Sequence, residues 1–205
     1  MNKNEMNAYY KEIIGTESTL SRQVGWRDEL AQTRRFEQLY KLVEQHSNID
    51  IADLGCGLAG FYTFLKNKTD DFTYTGYDLS DDMILGAKET VATYENATLS
   101  LIEKTEDITQ HDFIILSGIF NMKRSIDDAS WLEYILKQLE IINQKATKGF
   151  AFNLLTSYSD EEFKKDELYY ASPSLFFDYC KTNFSKNVAL LHDYDEYDFT
   201  IIVRK

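Results

Sequence analysis

Proline is nearly missing from this chain, with one residue, Pro173, in 205. Its scarcity leaves no proline-rich linker, and neither a repeat nor a low-complexity segment is visible. Cysteine is scarce as well. Cys56 and Cys180 fall in different elements, and two cysteines at this length make no disulfide framework, so both are expected as free thiols. No apolar run approaches the length of a membrane span, and Met1-Asn2-Lys3-Asn4-Glu5 leads into no signal segment, which points to the cytoplasm and away from membranes. Basic residues are outnumbered, 22 Lys and Arg against 34 Asp and Glu, for a formal net charge of −12. Nucleic-acid binding is driven largely by cations that neutralise phosphates, so no nucleic-acid partner is expected and a small-molecule one is. No metal site is expected, and nothing sets an oligomeric state.

What is present is an ordinary globular composition, 43% hydrophobic and 27% charged, at a length that suits one domain over 1–205. Residues 155–198 hold ten acidic side chains against four lysines, which reads as a solvated acidic face or as substrate steering. Strand-like apolar runs recur at 49–54, 73–78, 98–103, 112–117, 148–154, 187–193 and 197–204, and segments of helical period separate the first six. Such alternation specifies an α/β architecture, a doubly wound parallel sheet with helices on both faces. The last two runs are separated only by Tyr194-Asp195-Glu196, too few residues for a parallel crossover, so they form an antiparallel hairpin. Residues 1–47 read as a helical N-terminal cap, with a helix over 37–44. The polar stretch 157–168, within 155–172, reads as an exposed loop or lid, after which Ser172 can cap a helix begun by Pro173.

The most informative stretch is Asp53-Leu54-Gly55-Cys56-Gly57-Leu58-Ala59-Gly60, between the first strand and an apolar helix-like run. A glycine-rich turn there brings bare backbone close to a ligand, while the helix start offers N–H groups. Gly55, Gly57 and Gly60 also satisfy the G-x-G-x-x-G spacing of a dinucleotide site, so an NAD(P)-dependent oxidoreductase is one reading. The second strand then ends in Asp78, where a carboxylate can accept hydrogen bonds from both hydroxyls of a ribose.

Asp53-x-Gly55-Cys56-Gly57 followed by Tyr77-Asp78-Leu79-Ser80-x-x-Met83-Ile84 resembles the class I S-adenosylmethionine-dependent methyltransferases, over roughly residues 26–205. The family's D-x-G-C-G-x-G has a third glycine where this chain has Ala59, so a modest adjustment of the turn is expected. The resemblance implies a seven-stranded Rossmann-like sheet in the order 3-2-1-4-5-7-6, S-adenosylmethionine as cofactor and methyl transfer to a small-molecule acceptor. An oxidoreductase has no equivalent reason for the hairpin and needs a substrate domain for which there is no room. A third reading is a cofactor-binding protein that regulates a partner without turnover, because no indispensable base is visible.

By the resemblance, Asp53, Gly55, Cys56 and Gly57 cradle the methionine part of the cofactor and Asp78 holds the ribose. Leu79 and Met83 lie at the adenine, with Glu106 or Asp107 beside its amino group. Ligands of open parallel sheets lie beyond the carboxyl ends of the strands, which adds Ser117 as a cofactor contact and Phe120, Asn121, Asn153 and Tyr194 as acceptor lining. Core packing is the alternative for Phe120. No proline follows Asn121, unlike enzymes that methylate nucleobases or amide nitrogens, so those acceptors are disfavoured. His192, oriented by Asp193, is the candidate base, with a surface histidine as the alternative; His46 and His111 lie at the opposite edge. Trp26 and Arg35 stand where the family covers acceptor and cofactor, Arg35 for the cofactor's carboxylate. Arg34 and Arg35 equally suggest a carboxylate or phosphate on the acceptor. Tyr170, with Tyr9, Tyr10 and Tyr169, can wall a cation or serve as packing.

Overall fold

A computed structural model describes residues 29–205, so Trp26, Tyr9, Tyr10 and most of the expected N-terminal cap lie outside the described residues. In chain order the elements are α1 (Glu29–Tyr40), β1 (Ile49–Leu54), α2 (Gly60–Lys66), β2 (Phe72–Asp78), α3 (Asp81–Val91), β3 (Ala97–Leu101), β4 (His111–Leu116), α4 (Asp128–Lys145), β5 (Ala146–Leu155), α5 (Pro173–Asn183), β6 (Asn187–Leu191) and β7 (Asp198–Arg204). The strands form one sheet in the order β3-β2-β1-β4-β5-β7-β6. β7 runs antiparallel to both neighbours, and every other pairing is parallel.

Alternate residues of each strand feed two cores. On one face Ile51, Tyr74, Phe113, Ile115 and Ile202 pack under Phe36 and Leu39 of α1, Phe61 of α2 and Ile84 of α3. On the other, Ala52, Ile114, Phe152 and Ile201 pack under Trp131, Ile135 and Leu139 of α4 and Phe176 of α5. The inner strands are therefore apolar on both sides, the pattern of buried parallel sheets, while the edge strands β3 and β6 are partly exposed.

Most strand ends fall within two residues of the predicted ranges, and the departures that matter are these. The first helix spans 29–40, not 37–44, and residues 41–45 continue as turns. β3 stops at Leu101 because the N–H groups of Glu103 and Lys104 donate to Asp107 Oδ2 (3.2 Å each) instead of continuing the ladder. β6 stops at Leu191 because Tyr194 turns inward to bond Thr200 Oγ1 (3.1 Å), so the hairpin connection runs over 192–197 and places Asp195 at φ 57°. Ser172 sits at the start of α5, yet its hydroxyl faces Ser174 Oγ (3.1 Å) and caps no helix N–H.

The loop after β5 is pinned at its base by bridges Thr156–Ala171 and Met122–Leu168 and by the Arg124 N–H to Glu167 carbonyl bond (2.8 Å). Between these anchors Tyr158 and Phe163 stand exposed, at 76% and 61%. Among the described residues, no helix is long and apolar enough to cross a membrane.

Candidate functional site

The turn after β1 holds three residues in the left-handed region: Gly55 (φ 77°), Gly57 (φ 53°) and Ala59 (φ 60°). Gly60 is already helical, and a Cβ there would meet only ordinary contacts, Gln32 at 3.5 Å and Phe36 at 3.6 Å. The backbone therefore demands glycine-like freedom at 55, 57 and 59, the D-x-G-C-G-x-G spacing, and makes no such demand at the third glycine of a dinucleotide motif. Ala59 meets it with a side chain, at a cost of about 1 kcal/mol. Gly55 could not, since a Cβ would come within 2.3 Å of Ile119 Cγ2.

Asp78 ends β2 against this turn. Its Oδ2 accepts from the Gly57 N–H (2.9 Å) and its Oδ1 from the Ser80 N–H (2.9 Å), so each carboxylate oxygen is fixed by one backbone donor and keeps a lone pair for another. Burial pushes its carboxyl above the ordinary range, and the N–H groups of Ser80, Gly57 and Leu79 pull against that rise. Asp53 is deeper. Desolvation, opposed by the Tyr74 hydroxyl that donates to its Oδ2 (2.8 Å) and aided by the nearby charge of Asp78, raises its carboxyl to about 7. Cys56 packs its sulfur against Gly76, where a Cβ would lie only 3.0 Å away, and burial lifts its thiol well above the usual value. It is a filler of the core under α1, and its backbone is what the turn uses.

Met83 is buried in the first turn of α3, its N–H donating to Ser80 Oγ (3.4 Å), and Leu79 packs on the opposite core. Asp107 is engaged by the Glu103 and Lys104 N–H groups, whereas Glu106 is exposed and lies near Tyr134. The two candidates beside the adenine thus differ in what their carboxylates already hold.

Two strands further along, Ser117 and Asn153 follow in register from the Leu116–Phe152 pair and share the face under α1. Asn153 Oδ1 accepts from the Gly118 N–H (2.7 Å), but its Nδ2, like Ser117 Oγ, is buried with no hydrogen-bond partner. Asn153 pairs with Thr200 across the sheet, and two residues on lies Asp198, a carboxylate that the sequence reading missed. Polar residues at 198 and 200 in an otherwise apolar central strand are the signal that could have found it.

The other expected residues are placed as follows. Phe120 is core: 1% exposed, edge-on to Phe152, its carbonyl accepting from Trp131 Nε1 (2.8 Å). Asn121 braces the loop, taking the Leu155 N–H on Oδ1 (3.1 Å) and the Tyr169 N–H on its carbonyl (2.8 Å). The Tyr170 hydroxyl accepts from the Lys165 N–H (3.0 Å) within the loop after β5. His192 lies just past the edge strand β6, exposed, its ring against Phe199 and Tyr158; among the described residues no hydrogen bond joins it to Asp193. His111 is tied to Asp50 and Tyr77 (3.0 Å each) at the start of β4. Arg35 pairs with Asp198 Oδ2 and Glu196 (3.4 Å), and Arg34 with Glu196 (3.2 Å), so both guanidinium groups face carboxylates of the chain itself.

No family profile matches the chain. A protein of Mycobacterium tuberculosis (strain ATCC 25618 / H37Rv), provisionally named a methyltransferase, is 39% identical over 165 residues, covering 80% of this chain and 98% of its own. Among solved structures, the magnesium protoporphyrin IX methyltransferase of Synechocystis PCC 6803 with bound SAH superposes with a TM-score of 0.69 at 13% identity, covering all of both chains. SpnF, a 4+2 cyclase, superposes at 0.67 with 9% identity, covering 94% of this chain and 75% of its own. The fold alone therefore does not fix the reaction. The mycobacterial relative does fix the family, and the turn at 55–59 with Asp78 agrees with it: the chain belongs to the class I S-adenosylmethionine-dependent methyltransferases.

Proposed function

We propose that the protein binds S-adenosylmethionine across the carboxyl ends of β1 and β2 and directs its methyl group to a small-molecule acceptor at the ends of β4, β5 and β7. The observation that carries this is Asp78, whose two oxygens are each oriented by one backbone N–H, from Gly57 and Ser80, beside the left-handed turn. That arrangement fits a ribose, whose vicinal hydroxyls need two acceptors held at fixed spacing. Gly55 and Gly57 would present backbone to the methionine part, and Met83 with Leu79 would flank the adenine. Glu106 is preferred to Asp107 for its amino group, since Asp107 already accepts two backbone bonds.

When bound, the cofactor supplies a methyl group already activated as part of a sulfonium. The chain's own task is then mostly orientation, which can lower a barrier by several kcal/mol without a strong base. The buried, unpartnered Ser117 hydroxyl at the end of β4 stands between cofactor and acceptor sides and would bind either. His192 is four strand steps from β1, about 19 Å across the sheet, so we assign the proton to solvent and not to its imidazole. The net charge of −12 supports an acceptor other than nucleic acid, and the buried free thiols Cys56 and Cys180 support action in the cytoplasm.

Calorimetry with S-adenosylmethionine, S-adenosylhomocysteine and NAD tests this reading. Heat should appear with the first two and not with NAD. Asp78→Ala should weaken S-adenosylhomocysteine by about 10- to 100-fold, the scale of lost hydrogen bonds to a charged group. Binding of NAD alone would sink the proposal.

A further inference from the structure

Asp198 and Asn153 are among the most deeply buried polar side chains of the protein, at 0% and 1% exposure. The register pairs Asn153 with Thr200 and Leu155 with Asp198, so these polar groups share one sheet face at the carboxyl end of β5. Each is half satisfied. Asp198 Oδ2 takes Arg35 Nε while Oδ1 has no partner, and Asn153 Oδ1 takes the Gly118 N–H while Nδ2 has none. A buried unpartnered polar atom costs about 1–3 kcal/mol, more when charged, so two of them on diagonal neighbours of one sheet face are what a site awaiting a ligand presents.

The surrounding charges select that ligand. Arg34 and Arg35 read from sequence as receptors for a carboxylate or phosphate, yet Glu196 and Asp198 neutralise both, and Arg35 also donates to the Ala31 carbonyl (2.8 Å). What is left unmet is a carboxylate oxygen and an amide donor. We propose that Asp198 and Asn153 form the acceptor-recognition subsite, and that it takes an ammonium or hydroxyl group donating to Asp198 Oδ1, with Asn153 Nδ2 donating to an oxygen beside it. An acceptor anchored by a carboxylate or phosphate is disfavoured, because it would meet the same oxygen. β7 stands three strand steps from β1, about 14 Å, so the subsite holds a part of the acceptor remote from the methylated atom. Asp198 is thus a specificity-determining residue of the proposed methyl transfer, and this assignment rests on the cofactor lying over β1 and β2.

Benzylamine, benzyl alcohol and benzoate share a ring and differ in head group, and their binding to protein saturated with S-adenosylhomocysteine tests the subsite by ligand-detected NMR. Benzylamine or benzyl alcohol should bind at least fivefold tighter than benzoate, and the better of the two identifies ammonium or hydroxyl. Asp198→Asn should abolish that preference while leaving S-adenosylhomocysteine affinity within about twofold. Benzoate binding as well as the others, a preference that survives Asp198→Asn, or no binding by any probe at millimolar concentration would each overturn the proposal. Should Asp198→Asn fail to fold, the wild-type ranking decides alone. Failure of S-adenosylhomocysteine to bind wild type would count against the cofactor reading, and the ranking could still be measured on protein without it.

Discussion

Ala59 carries backbone strain that its position in the turn imposes. It is fully buried at φ 60° and ψ 36°, starting α2 where the family's pattern has glycine. Ala59→Gly should relieve left-handed strain of about 1 kcal/mol while losing one buried methyl worth about 0.8 kcal/mol, so the two nearly cancel and stability in urea unfolding should not fall by more than about 0.5 kcal/mol. A larger loss of stability would mean that the turn is held by the methyl contact more than it is strained by it. Asp53 makes the pH prediction. Its carboxyl is raised from 3.8 to about 7 by burial, so between those values the folded state holds a proton that the unfolded state has released. Stability should therefore fall as pH rises from about 4 to about 7 and level off above, by at most on the order of 4 kcal/mol from this group. Asp53→Asn keeps an acceptor for the Tyr74 hydroxyl and removes the titration. It should be no more stable than wild type at pH 4 and clearly more stable at pH 8; parallel pH profiles would refute the assignment.

At the scale of elements, the loop after β5 combines two anchors with an exposed middle. Thr156–Ala171 and Met122–Leu168 fix its base, and Ser159 Oγ bonds the Thr156 carbonyl (2.8 Å), while residues 160–163 carry three acids and the exposed Phe163. If it closes over ligand, amides of 160–167 should gain hydrogen-exchange protection with S-adenosylhomocysteine and an acceptor probe present, and those of Ser159 and Leu168 should change little. Equal exchange in both states would make it a static loop. Its existence is legible in the sequence because a polar run interrupts an apolar alternation; its anchors are not, because Met122–Leu168 is a pairing between segments that no local pattern links. The same division holds for the site. Gly55 and Gly57 are legible since left-handed backbone in a strand-to-helix turn calls for glycine, Asp78 since a carboxylate ending β2 falls against that turn, and the hairpin since three residues cannot make a crossover. Asp198 is one of ten acids in an acidic stretch, and its place with Thr200 in the apolar pattern of β7 is the one sequence mark that separates it from exposed neighbours such as Asp193 and Asp195. Arg35 is legible as important and not as to its partner, because the two lie 163 positions apart.

At the scale of the whole molecule, Arg35 joins α1 to β7 through a buried ion pair, with Glu196 alongside. Removing one partner leaves a charge in the core. Arg35→Met should cost about 3–5 kcal/mol, and Arg35→Met with Asp198→Leu should recover much of that loss, since a matched apolar pair avoids the desolvation of both ions. No recovery in the double variant would show that the pair is supported by more than its own charges.

β7 follows β6 in the chain yet lies between β5 and β6 in the sheet. β6 touches the sheet only through β7, so β7 cannot leave it without releasing β6 as well. The proposed contacts to the cofactor's methionine part, ribose and adenine ring, by contrast, lie within residues 53–83, in neighbouring strand–helix units of short sequence separation. The two halves of the site then have separate thermodynamics. Under mild denaturant, amides of 187–204 should exchange through an opening of lower free energy than those of β1 and β4, and in that partly open state the protein would hold its nucleoside and be blind to its substrate.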